Sequence, residues 1–315
     1  MKRFLVRKLG KWFRDVKSWF LVHQPPLLTP LYFSLLYRLN ELMTSRRLTR
    51  AEELFNVLWK QAYHAHFRAH PEQRFKVRTD FPVAFHSADQ LHPHGSIRDN
   101  SRNYRFNIRL YRLLGHAESI ALLDLGCSGG GLVRSFLEDG HAAVGLEGSD
   151  ASLNARSGEW ETIPFHLFTC DIVKPFAILS GRGESALFDV VTAWEVLEHI
   201  QEGDLPQLAA NIRDHLRDGG LFVCSVAFFP DGDPRVGAVY HQTLRPVDWW
   251  VSLFAGYGFE VVQDHPFQPE DMVRGHGRDF KNWHPADGAG AHLVLRKVAG
   301  ATSSRTGDAR SGSRT

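Results

Sequence analysis

Residues 121–131 read ALLDLGCSGGG, an apolar run that carries an acid at 124 and empties into a loop with glycines at 126, 129, 130 and 131. A short apolar run ending in such a loop predicts a buried strand, and glycines directly after it let backbone approach a ligand closely. In an open α/β sheet, ligands bind beyond the carboxyl ends of the strands, and the loop after the first strand is the usual contact. The residues then narrow the ligand. A dinucleotide site needs GxGxxG, whereas here the spacing is Gly126-x-x-Gly129-Gly130-Gly131 with Ser128 in the second glycine's place. The lysine of a phosphate-binding P-loop is absent as well.

Outward from this stretch, strand-like runs at 120–125, 142–146, 164–169, 188–193 and 221–227 alternate with helical segments, and two more at 259–263 and 291–298 follow late and close together. That alternation predicts an α/β fold with a parallel sheet and crossovers on both faces. The second strand ends VGLEGSD, which puts Glu147 where a carboxylate accepts hydrogen bonds from both ribose hydroxyls of an adenosine. The third ends FTCDI, so that Asp171 is placed to accept from an exocyclic adenine amine while Ile172 packs on the ring. The fourth, FDVVTAWEVLEHI, brings Trp194 and Glu195 to the same edge. Acids are thus expected in register at successive strand ends: Asp124, Glu147, Asp171 and Glu195. Such a rim repels a pyrophosphate and suits a cofactor bearing an ammonium group, a sulfonium and hydroxyls.

Together LLDLGCSGGG, VGLEGSD, CDI, FDVVTAWEVLEHI and LRDGGLFVCSV resemble, in their usual order over roughly residues 95–298, the class I S-adenosylmethionine-dependent methyltransferases. The resemblance implies a Rossmann-like, mostly parallel seven-stranded sheet with an antiparallel C-terminal hairpin, and S-adenosyl-L-methionine as cofactor. It implies that Asp124 and the backbone of Gly126, Cys127 and Gly129 hold the methionine part. Glu147, with Gly148 and Ser149, would take the ribose, and Asp171 with Ile172 the adenine, beside Trp194. Glu147 departs from the more usual Asp, and both serve ribose. HPHGSIRDNSRNYRFN before the sheet and VYHQTLRPVDWW after the fifth strand are further similar to a group associated with bacterial surface-polysaccharide and other glycan biosynthesis. If so, the segment around Asp99, Asn100 and Asn103 closes over the cofactor and the loop around His241 faces the acceptor.

Methyl transfer to a hydroxyl needs a base, and histidine, with its near-neutral pKa, suits the task. Both His199 and His241 are candidates. His199 follows the fourth strand by about one helical turn with Glu195 four residues earlier, a spacing at which the carboxylate would orient the imidazole. Trp249 and Trp250 can stack on a sugar or aromatic acceptor, although at a helix start at least one is expected in the core.

The 315 residues, 43% hydrophobic and 12% aromatic, suffice for a sizeable buried core, and a formal net charge of +2 gives no general argument for nucleic acid. RNA methylation is disfavoured further because the sheet region lacks a dense basic stripe. No metal ligand set is expected. His66 and His70 would share a helix face but lack a third ligand, and Cys127, Cys170 and Cys224 lack CxxC or Cys/His spacing, which also fits a reducing, cytoplasmic compartment.

The organisation expected is a helical N-terminal extension over 1–94, a methyltransferase domain over 95–299 and a disordered tail over 300–315. Within the extension, residues 1–22 place Phe4, Leu5, Leu9, Trp12, Phe13, Val16 and Phe20 at helical spacing opposite a basic face. Such a helix suits peripheral contact with the anionic inner face of a membrane, or packing on the domain. Three functions follow: O-methylation of a sugar or glycan intermediate, free or lipid-linked; methylation of a small molecule or isoprenoid, quinone-type lipid, since WEVLEHI also occurs in quinone-pathway methyltransferases; and a non-catalytic cofactor-binding scaffold.

Overall fold

The computed structural model describes residues 50, 53–272 and 288–299. The basic stretch 1–22 and the tail 300–315 lie outside the described residues. Two compact units divide the chain, Met1–Ala62 and Tyr63–Thr315. A helix runs over residues 53–69.

Within the second unit the strands are β1 (Lys76–Thr79), β2 (Ala121–Leu125), β3 (Ala142–Glu147), β4 (Leu167–Thr169), β5 (Phe176–Leu179), β6 (Phe188–Trp194), β7 (Leu216–Ala227), β8 (Gly232–Asp233), β9 (Ala238–Val239), β10 (Phe259–Val261) and β11 (Gly290–Lys297). Seven of them form one sheet in the order β10-β11-β7-β6-β2-β3-β4. β7, β6, β2, β3 and β4 run parallel, while β11 pairs antiparallel with both β7 and β10. This is the mostly parallel, Rossmann-like sheet with antiparallel C-terminal strands that the sequence predicts. The central strands are buried on both faces, which is why they read as unbroken apolar runs such as FDVVTAW.

Helix Gly131–Glu138 packs on β2 and β3, and helix Leu205–His215 on β6 and β7. Between these layers lie Leu123, Leu125, Val144, Leu146, Val191, Phe222, Cys224 and Leu295, with Trp250 and Phe254 of helix Val247–Gly256. β4 is shorter than the run 164–169 predicts. Pro164 has no N–H to give a ladder, and the His166 amide turns back to the Ile163 carbonyl. β7 is longer, starting at Leu216 with a register irregularity opposite Phe188–Val190. Outside the main sheet, β1 pairs with β5, so part of the stretch before the first glycine loop is ordered sheet.

Candidate functional site

A cavity of about 680 Å³ opens beyond the carboxyl ends of the parallel strands. Gly126, Ser128, Glu147, Gly148, Ser149, Asp171, Ile172, Trp194, Glu195, His199 and His241 all line it. Its volume falls in the usual range for small-ligand sites.

At one end the glycine loop turns from β2 into helix Gly131–Glu138. Gly126 has φ +68°, and a Cβ there would stand 2.4 Å from Cγ2 of Val196. Gly129 and Gly131 answer to the chain itself: added Cβ atoms would meet the Asp99 carbonyl at 2.7 Å and the Asn100 carbonyl at 2.3 Å. The Gly129 amide donates to the Asp99 carbonyl at 2.8 Å, so the Asp99–Ser101 segment straps directly over the loop. Within this strap Asp99 lines the cavity and Asn100 does not. The Asn100 amide instead donates to Glu159, which also holds Arg102 and the buried Arg134.

The Glu147 carboxylate, at the end of β3, accepts from the amides of Ser128 at 2.8 Å and Ser149 at 3.1 Å. Burial outweighs these amides and raises its pKa to about 7. Two amides leave lone pairs on both oxygens for further donors. Asp171 accepts from the Val173 amide at 3.1 Å, and burial raises its pKa also.

Asp124 departs from the expected rim. It pairs with Gly145 and Thr192 inside the sheet, is fully buried, and accepts from the Thr192 hydroxyl at 2.7 Å. It therefore stands behind the loop, one layer deeper than Glu147, because β2 continues past it to Leu125. Cys127 is likewise buried against Gly145 and faces away from the cavity lining.

The other end is assembled from three distant segments. After β6, Glu195 takes φ +53°, rare for a residue with a side chain, and the chain makes a 3₁₀ turn over Leu197–His199. The amides of Gln242 and Thr243 both donate to the Glu198 carbonyl, at 2.6 and 3.0 Å, and this brings His241 against His199. Their ring centroids are 4.9 Å apart. The carboxylate that orients His199 is Asp89, not Glu195: His199 Nδ1 donates to Asp89 Oδ2 at 2.8 Å. The 3₁₀ turn breaks the α-helical spacing on which a Glu195–His199 pair depends. His241 Nδ1 donates to the Phe229 carbonyl at 2.6 Å.

Burial works against a charged His199, yet the hydrogen bond and charge of Asp89 prevail and raise its pKa to about 9. Burial lowers that of His241, which stays neutral near pH 7. Asp89 carries no spacing signal, lying 110 residues from its partner. Glu198 had one, an acid inside the apolar run WEVLEHI. Trp250 is buried with Nε1 donating to the Arg245 carbonyl, Trp249 sits beside the Arg245 guanidinium, and neither lines the cavity.

A family model described as "Methyltransferase domain" matches residues 99–284, more than half of the chain. The ubiquinone biosynthesis O-methyltransferase of Pasteurella multocida is 34% identical over 110 residues, 33% of this chain and 45% of that protein. That of Cereibacter sphaeroides is 32% identical over 112 residues, 34% of this chain and 41% of its own length. The chain thus matches less than half the length of these curated relatives. Among solved structures, the glycopeptide N-methyltransferase MtfA complexed with S-adenosyl-L-methionine aligns with TM-score 0.40 at 19% identity, over 66% of this chain and 98% of that one. An S-adenosylmethionine-dependent methyltransferase from Clostridium acetobutylicum aligns with TM-score 0.43 at 10% identity, over 63% and 93%. With the family match running from the strap through the glycine loop and past His241, the chain belongs to the methyltransferase-domain family.

Proposed function

We propose that the protein is an S-adenosylmethionine-dependent O-methyltransferase whose acceptor is a small molecule with an acidic hydroxyl, of the phenol or quinol class. The observation that carries the cofactor assignment is Glu147: a buried carboxylate with pKa raised to about 7, two amides on it and lone pairs to spare, facing the cavity beside Asp171 and Ile172. Ribose hydroxyls are the donors it lacks, and an adenine on Ile172 can give its amine to Asp171. Ser128, Gly148 and Ser149 shape the same wall, and Trp194 with Glu195 would border the methionine end. Bound there, the cofactor supplies an electrophilic methyl carbon on a sulfonium. Asp124 and Cys127 would brace the loop from behind, and Asn100 would fix the strap, without touching the ligand.

His199 and His241 mark the acceptor end, where they orient an acceptor hydroxyl and draw off its proton. His241, its pKa lowered by burial and its Nδ1 donating to the Phe229 carbonyl, keeps Nε2 bare to take the proton, while His199, held charged by Asp89, faces the oxyanion that forms. The exposed face of Phe229, 5.3 Å from the His241 ring, supports an aromatic or isoprenoid acceptor, as do the curated relatives. They favour this reading over a sugar or glycan acceptor.

Titration of purified protein with S-adenosylmethionine tests the assignment. Saturable binding is expected, and its absence in the unmodified protein would sink the cofactor reading. The basic face over residues 1–22 would suit an acceptor carried in a membrane; no described helix is long and apolar enough to cross one. Deleting 1–22 should lower association with anionic vesicles, and unchanged association would reject that role.

A further inference from the structure

Glu198 is 0% exposed, and neither carboxylate oxygen has a hydrogen-bond partner. A buried carboxylate without partners is costly enough to be rare unless another group completes it. Among the described residues, one oxygen of Glu198 and one ring nitrogen each from His199 and His241 lie within 4.8 Å of one another. Each histidine donates Nδ1–H to an oxygen, His199 to Asp89 and His241 to the Phe229 carbonyl. Metal-bound imidazoles are held in this way, the outer hydrogen bond fixing the tautomer and making the other nitrogen more basic.

We propose that Glu198, His199 and His241 form a binding site for a divalent transition-metal cation at the acceptor end of the cleft. Two imidazoles and a carboxylate suit an ion of intermediate softness and leave coordination positions open. Ligands at about 2.0–2.2 Å from such an ion stand roughly 3–4 Å apart, so the set contracts by about 1 Å on binding. Glu195 adds negative charge nearby, and Asp89 acts as a positioning residue through His199.

The use of the ion, unlike its binding, rests on the methyltransferase reading. An acceptor hydroxyl that enters an open coordination position is held as its oxyanion; with both imidazoles engaged by the ion, its O–H bond breaks to water in the open cleft, and the ion takes over the role that the histidines have without it. The acceptor class is thereby sharpened to hydroxyls that chelate or bind an ion well, with adjacent phenolic oxygens the best fit.

Full-length, chelator-treated protein titrated with Co²⁺, followed by visible absorption, tests the site. One equivalent per chain should saturate it. Glu198→Gln, which keeps shape and removes charge, should weaken binding at least about tenfold, His241→Ala comparably, and Asp89→Asn about tenfold with both rings still present. Absence of saturable binding, or Glu198→Gln binding as well as the unmodified protein, would overturn the site. S-adenosylmethionine titrated into the same samples separates the two readings: cofactor binding without Co²⁺ binding removes the metal site alone, whereas loss of cofactor binding removes the methyltransferase reading. Circular dichroism on each variant confirms folding, and His241→Ala carries the test if Glu198→Gln does not fold.

Discussion

The two ends of the cleft are built on opposite plans. The cofactor end is local: Gly126, Ser128, Glu147 and Ser149 come from two adjacent strands and the loops that leave them, and most of its contacts are main-chain amides. The acceptor end joins segments that are remote in sequence, with Asp89, Glu198–His199 and His241 held by side-chain and cross-loop hydrogen bonds. On the proposed reading, a cofactor common to many reactions would be served by backbone, which the fold supplies wherever the strands end, and the acceptor by side chains that any loop change can replace.

This contrast is sharpest under mutation. Gly126→Val attacks the local end through the backbone: a positive φ and a 2.4 Å approach to Val196 should cost about 3 kcal/mol or more of stability and abolish cofactor binding. Thermal melting and cofactor titration read both effects. At the remote end, His199→Ala or His241→Ala should lower turnover about 100-fold while cofactor affinity stays within about threefold. Equal loss of turnover and affinity would break the division into two ends. Glu147→Ala should weaken the cofactor about 10- to 100-fold, the loss expected for hydrogen bonds to a charged group.

The smallest effect is the pH response of Glu147. Its folded pKa of about 7 lies above its ordinary carboxylate value, so the folded protein binds the extra proton first. The stability this contributes is complete at acidic pH below the ordinary value and is lost as pH rises through about 7. Cofactor binding runs the other way, because ribose hydroxyls donate to the ionised form. Affinity should fall about fivefold between pH 7 and pH 6 and flatten above pH 8. A flat profile over that range would show that Glu147 does not hold the ribose.

The same contrast explains what was legible in the sequence. Buried parallel strands write themselves as apolar runs, so the sheet and the positions of Glu147, Asp171 and Glu195 followed from local pattern. Asp124 belonged to that pattern but ended one layer too deep, because hydrophobic runs do not say where along a strand the cavity begins. The Asp89–His199 pair and the approach of His241 depend on tertiary contacts with no fixed spacing. Glycines 129 and 131 were legible as close-approach positions, yet what approaches is the Asp99–Ser101 strap.

Val196, seated on Gly126 between the glycine loop and the Glu198–His199 turn, gives the two ends a shared contact. If cofactor binding steadies that turn, an ion or acceptor at the far end must tighten the cofactor by the same factor, since coupling free energy has one value whichever ligand arrives first. Measured in both orders, the two affinity ratios have to agree.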